Sequence, residues 1–80
     1  MNDQLFQEVL DSLTVLKEDN DVSKRIKEKA EQVATILTSD EQLAIEKALL
    51  EFEEVQSLEM SSYHRTQVWD IISMLEGLKN

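Results

Sequence analysis

The sequence predicts an all-α fold, an up-and-down bundle of four antiparallel helices, and three observations predict it. Apolar residues recur at three- and four-residue spacing in four separate stretches of the 80-residue chain. Proline is absent and glycine occurs once, at Gly77, which leaves almost no residues for β-turns or Gly-rich phosphate loops. The stretches are joined by short runs rich in Asp, Asn and Ser, and short connections make sequential helices antiparallel neighbours.

The first helix is expected over about residues 3 to 18. It places Leu5, Phe6, Val9, Leu10, Leu13 and Leu16 on one face, with Asn2 or Asp3 as its cap. Glu18-Asp19-Asn20-Asp21 ends it, because short polar side chains there bond their own backbone instead. The second helix follows Ser23 as cap and carries Val22, Ile26, Ala30, Val33 and Leu37 in a regular stripe. Thr38-Ser39-Asp40 breaks it. Ser39-Asp40-Glu41-Gln42 fits a capping box that opens the third helix, which runs through Ile45, Ala48, Leu49, Phe52 and Val55 to about Ser57. Ser61 or Ser62 caps the fourth, which carries Val68, Ile71, Ile72, Leu75 and Leu78, and Gly77 is expected to fray or close its last turn. Leu13, Val33, Leu49, Phe52, Ile72 and Leu75 are the expected core.

The two halves also parallel each other. Phe6, Val9, Leu10, Leu13 and Leu16 align with Ile45, Ala48, Leu49, Phe52 and Val55 at an offset of 39. Asp21-Val22-Ser23 then aligns with Glu59-Met60-Ser61, and Ala30, Val33 and Leu37 with Val68, Ile71 and Leu75, at an offset of 38. Two hairpins related by a pseudo-twofold axis produce this pattern, and so do any two similar amphipathic hairpins.

Length and composition exclude a good deal. Eighty residues make one domain, 1–80, whose core is marginal without oligomerisation or good helix packing. The absence of cysteine excludes a disulfide framework or a Cys-based zinc site. The opening Met1-Asn2-Asp3-Gln4 has neither the basic nor the apolar segment of an export signal, so the expected location is the cytoplasm.

From Asp19 onward the sequence resembles an uncharacterised archaeal family of small helical proteins, uncharacterised protein family 0147. The family pattern of an acidic turn, a Val-Pro step and a basic segment is met by Asp19-Asn20-Asp21-Val22-Ser23-Lys24-Arg25-Ile26-Lys27. Its second signature, Met-Pro before a His-containing helix start with Arg-Thr and Trp, is met by Met60-Ser61-Ser62-Tyr63-His64-Arg65-Thr66-Gln67-Val68-Trp69. Serine replaces both prolines, exchanging a preset φ for a side-chain cap, and Tyr63 stands where the family has its histidine. The resemblance covers some three-quarters of the chain. It implies a compact all-α bundle from an archaeon, with no assigned activity.

The chain's chemistry points away from an enzyme. His64 is the single histidine, and the serines beside it serve better as caps than as nucleophiles. His64 is therefore expected to be partly solvated in a first turn, near Glu59, with no ligand and no catalytic partner. A di-metal carboxylate bundle needs Glu three residues before His, and position 61 is Ser61. The Glu18–Asp21 turn lacks the glycine and terminal glutamate of a calcium loop. No cofactor and no metal are expected.

Charge bears on partners. The net charge is −9, divided as −5 over residues 1–22, +2 over 23–38, −6 over 39–60 and zero over 61–80. Lys24, Arg25, Lys27 and Lys29 make a basic patch on the second helix. That patch supports the alternative of a nucleic-acid-associated accessory factor, but nucleic acid is an improbable partner for so acidic a chain. The patch reads better as a solvated face offsetting the acidic first and third helices. Anionic membranes repel such a surface. Four apolar residues lie off the main stripes: Leu43 and Leu50 on the third helix, Trp69 on the fourth and Val15 on the first. They are either edges of a wide core or an exposed contact patch. The leading expectation is a non-enzymatic protein acting through protein–protein contact, as a small subunit or a homodimer.

Overall fold

Helices form where the apolar period runs and stop where it is interrupted. The computed structural model describes residues 3–39 and 43–79. They form α1 (Asp3–Glu18), α2 (Lys24–Thr38), α3 (Ala44–Val55) and α4 (Ser62–Lys79), with no strand among the described residues. α1 has the expected bounds. Ser23 caps α2, its Oγ accepting from Ile26 N–H at 3.3 Å. α3 opens later than expected, at Ala44 with Leu43 in the cap position and no side-chain cap. The Ser39–Gln42 capping box involves residues 40–42, which lie outside the described residues. Ser39 itself closes α2, its hydroxyl donating to the Ile36 carbonyl at 2.6 Å.

The helices pack in a ring, α1 on α2, α2 on α3, α3 on α4 and α4 back on α1. Three cross-links fix their directions. Gly77, near the end of α4, approaches Leu5 in the first turns of α1, while His64 at the start of α4 reaches Asp19 just past the end of α1. Arg65 at the start of α4 donates to the carbonyls of Gln56 and Leu58 just past the end of α3. α4 is therefore antiparallel to both neighbours. The molecule measures 32 × 20 × 19 Å, and a 16-residue helix of about 24 Å fits along its long axis.

One core fills the ring. All six residues expected there are buried, with Val33, Phe52 and Leu75 fully so. The burial also repeats at the offsets seen in the sequence: Val9 with Ala48, Leu13 with Phe52 and Leu16 with Val55, then Ala30 with Val68, Val33 with Ile71 and Leu37 with Leu75. Gly77 departs from expectation. It lies inside α4 with no positive φ, so it neither closes nor caps the helix. A Cβ there would meet Leu5 Cδ2 at 3.2 Å, so the missing side chain lets α1 and α4 approach closely.

Candidate functional site

Two places on this frame hold more than packing. The first is the bundle end where the α1–α2 turn meets the start of α4. Asp19 follows the last turn of α1, and its carboxylate folds back to accept the Asp21 N–H at 2.8 Å. Ser61 caps α4, with Oγ accepting from the His64 N–H at 3.2 Å. His64 in that first turn points inward and is 7% exposed, the one buried polar or charged residue among those described. Its Nε2 lies 2.9 Å from Asp19 Oδ2 and its Nδ1 2.9 Å from Ser61 Oγ.

The backbone N–H of Asp21, and then the His64 ring, hold the Asp19 carboxyl below its ordinary value of 3.8. An ionised carboxylate only accepts, so Nε2 carries the proton given to Asp19, and in the neutral ring Nδ1 accepts from the Ser61 hydroxyl. Both ring nitrogens are thereby satisfied inside the fold. The Tyr63 ring stands edge-on to the imidazole, with centroids 5.3 Å apart, and is itself exposed.

His64 is thus placed differently from the sequence expectation: it is buried, and its partner is Asp19, not Glu59. The signal was present. The stripe Val22, Ile26, Ala30, Val33, Leu37 continues, 38 residues on, as Met60, His64, Val68, Ile71, Leu75, so His64 occupies the register of buried Ile26. Ser23 and Ser61 are equivalent caps in the same alignment. The two stretches that carry the family resemblance, one from Asp19 and one from Met60, meet at this hydrogen bond.

A cleft of about 440 Å³ adjoins the pair, lined by Asp21, Glu59, Met60 and Tyr63 among others. Among the described residues, no group of three or more His, Asp or Glu side chains could hold a metal ion.

The second place is the outer surface of α3 and α4. Leu50 is 64% exposed, Trp69 62%, Val15 56% and Leu43 55%, so all four off-stripe residues face solvent and none is a core edge. They do not share one groove. Val15 lines the α1–α4 groove beside Ser12, Gln67 and Asp70. Leu50 lines the α3–α4 groove, a hollow of about 520 Å³ with Glu46, Leu49, Glu53, Glu76 and Lys79. Trp69 borders Ser62, Arg65 and Thr66 on α4.

The basic patch is partly spent within the fold. Lys29 Nζ contacts Glu51 Oε2 at 2.6 Å and Glu54 Oε2 at 2.9 Å, and these two hydrogen bonds raise its pKa. Lys27 is half-buried and adds to the positive field on Asp19. Lys24 and Arg25 face solvent. Arg65 neutralises the carbonyl end of α3, where helix carbonyls concentrate negative charge.

These features define an all-α, four-helix protein, closed at one end by a buried His64 that is hydrogen-bonded to a partly exposed Asp19, and carrying exposed apolar side chains on α3 and α4. The chain belongs to the uncharacterised protein family UPF0147, which it matches over residues 1–78, more than the three-quarters read from its motifs. No curated protein and no solved structure matches it. No helix among the described residues is long and apolar enough to cross a membrane.

Proposed function

We propose that this is a non-enzymatic helical-bundle protein that works by protein–protein contact, with the α3–α4 surface as its binding face. One observation carries the reading. Leu50 and Trp69 are each more than 60% exposed, and Leu43, Val15 and Tyr63 are exposed with them, beside a core of buried apolar residues. A small domain places few side chains of this size in water, and an exposed apolar surface marks a partner site. Trp and Leu contribute strongly when a partner removes them from water.

The Ser61, His64 and Asp19 side chains stand in the order of a hydrolase triad, and their setting favours a clasp. The Ser61 hydroxyl is engaged on both sides, by the backbone N–H of its own helix and by the ring. Asp19, Asp21 and Glu59 line the adjoining cleft, and negative charge there opposes the oxyanion that acyl transfer develops. A nucleic-acid role through α2 draws no support from the pairing of Lys29 with α3.

A photo-crosslinking residue placed at 50 or 69 in cells, with Glu8 and Glu28 as exposed control positions, tests the reading. Crosslinked adducts are expected from 50 and 69 and not from the controls. Equal yields from all four positions, or none from 50 and 69, refute it.

A further inference from the structure

Exposed side chains on α3 and α4 fall in lines two helical turns apart. Glu46 and Glu53, and Trp69 and Glu76, are each seven residues apart, and seven residues return to nearly the same bearing, within about 20°. Of these, Glu46, Glu53 and Glu76 line the α3–α4 groove with Leu50, nearly buried Leu49 and Lys79.

We infer that this groove receives a basic amphipathic helix of another protein, its apolar residues seated against Leu50 and its Lys and Arg side chains against Glu46 and Glu53. The inference rests on the contact reading above and names the chemistry of the partner. A seven-residue repeat suits a helix laid along the groove, and a surface built of helices offers no sheet edge for an extended peptide.

Charge complementarity selects the occupant. Residues 39–60 carry −6 and the whole chain −9. A second copy docked about a twofold axis would set this face, with its net negative charge, against itself. Like charges facing each other across an interface are strongly disfavoured. Among the described residues, Lys79 is the one cation lining this groove, against Glu46, Glu53 and Glu76, while Lys29 is paired with Glu51 and Glu54, and Arg65 with the carbonyls of Gln56 and Leu58. A basic helix matches both Leu50 and the carboxylates beside it.

A random peptide library displayed on phage, selected on the full chain and counter-selected on Leu50→Glu, tests the inference. Enriched peptides should be net positive, with apolar residues at i, i+3 or i+4, and i+7. A fluorescently labelled synthetic copy of the commonest should bind the full chain saturably, read by fluorescence anisotropy. Leu50→Glu should weaken it by about tenfold or more, as loss of one buried leucine requires. Glu53→Lys should weaken it several-fold, and so should salt as the Debye length shrinks from about 10 Å at 0.1 M to about 3 Å at 1 M. Leu50→Gln serves in place of Leu50→Glu if circular dichroism shows the latter unfolded. Neutral or acidic binders, no enrichment, or a dimer in sedimentation that Leu50→Glu splits would each overturn the inference. Neutral binders or a dimer would leave the contact reading standing, whereas failed crosslinking at 50 and 69 removes that reading itself.

Discussion

Phe52→Ala is the sharpest probe of the core. Phe52 is fully buried on α3 and is the largest of the fully buried side chains. Truncating a buried Phe to Ala costs about 3–5 kcal/mol, from lost transfer free energy and from the cavity left behind. A domain of this length holds about 4–12 kcal/mol in all, at roughly 0.05–0.15 kcal/mol per residue. The substitution therefore removes a large share of the total. At about 4–8 °C per kcal/mol, the melting temperature should fall by about 12–40 °C. Urea unfolding followed by far-UV circular dichroism measures the loss, and an unchanged slope shows that the unfolded ensemble was not what moved. Phe6→Ala is the internal control, because Phe6 is the same residue type half-buried on α1, so its cost should be clearly smaller. A Phe52→Ala midpoint equal to that of Phe6→Ala, or within a few degrees of the parent, would refute the assignment of this face of α3 to the core.

Three further outcomes follow from the structure. His64→Gln should lower the melting temperature by several degrees, while Tyr63→Gln should change it little, because only the His64 ring is buried against a partner; equal effects would remove the clasp. Asp19 binds a proton less readily folded than unfolded, so its contribution is present above about pH 3.8 and is lost as pH falls through the lower folded value; acid unfolding should be shallower below pH 3.8 in Asp19→Asn, and an unchanged profile counts against the pairing. Gly77→Ala should stabilise by up to about 1 kcal/mol, since the new methyl meets only the end of the Leu5 side chain while helix propensity improves; a lower melting temperature would show that the α1–α4 approach cannot relax.

What the sequence determined by itself was periodic or local. Apolar spacing named the four helices, their core faces and the six central residues, because an amphipathic helix has one way to hide its stripe. Ser23 was legible as a cap, and the fourth helix's cap was narrowed to Ser61 or Ser62, since a hydroxyl there needs only its own first turn. The register also contained His64, three steps of four, three and four before Leu75, but a histidine at a core position announces burial only if a partner is known to meet it. That partner lies 45 residues away, and no local rule connects a turn after α1 to the first turn of α4. Gly77 illustrates the same limit: its position suggested a helix end, while its role depends on how closely α1 passes. The off-stripe residues were visible as anomalies, yet whether Leu50 and Trp69 were core edges or solvent-facing depended on how widely each helix was covered by its neighbours. Only the tertiary structure decided these points, because helix rotation and spacing are set by all four stripes closing on one core at once, and no single stretch of sequence contains that condition.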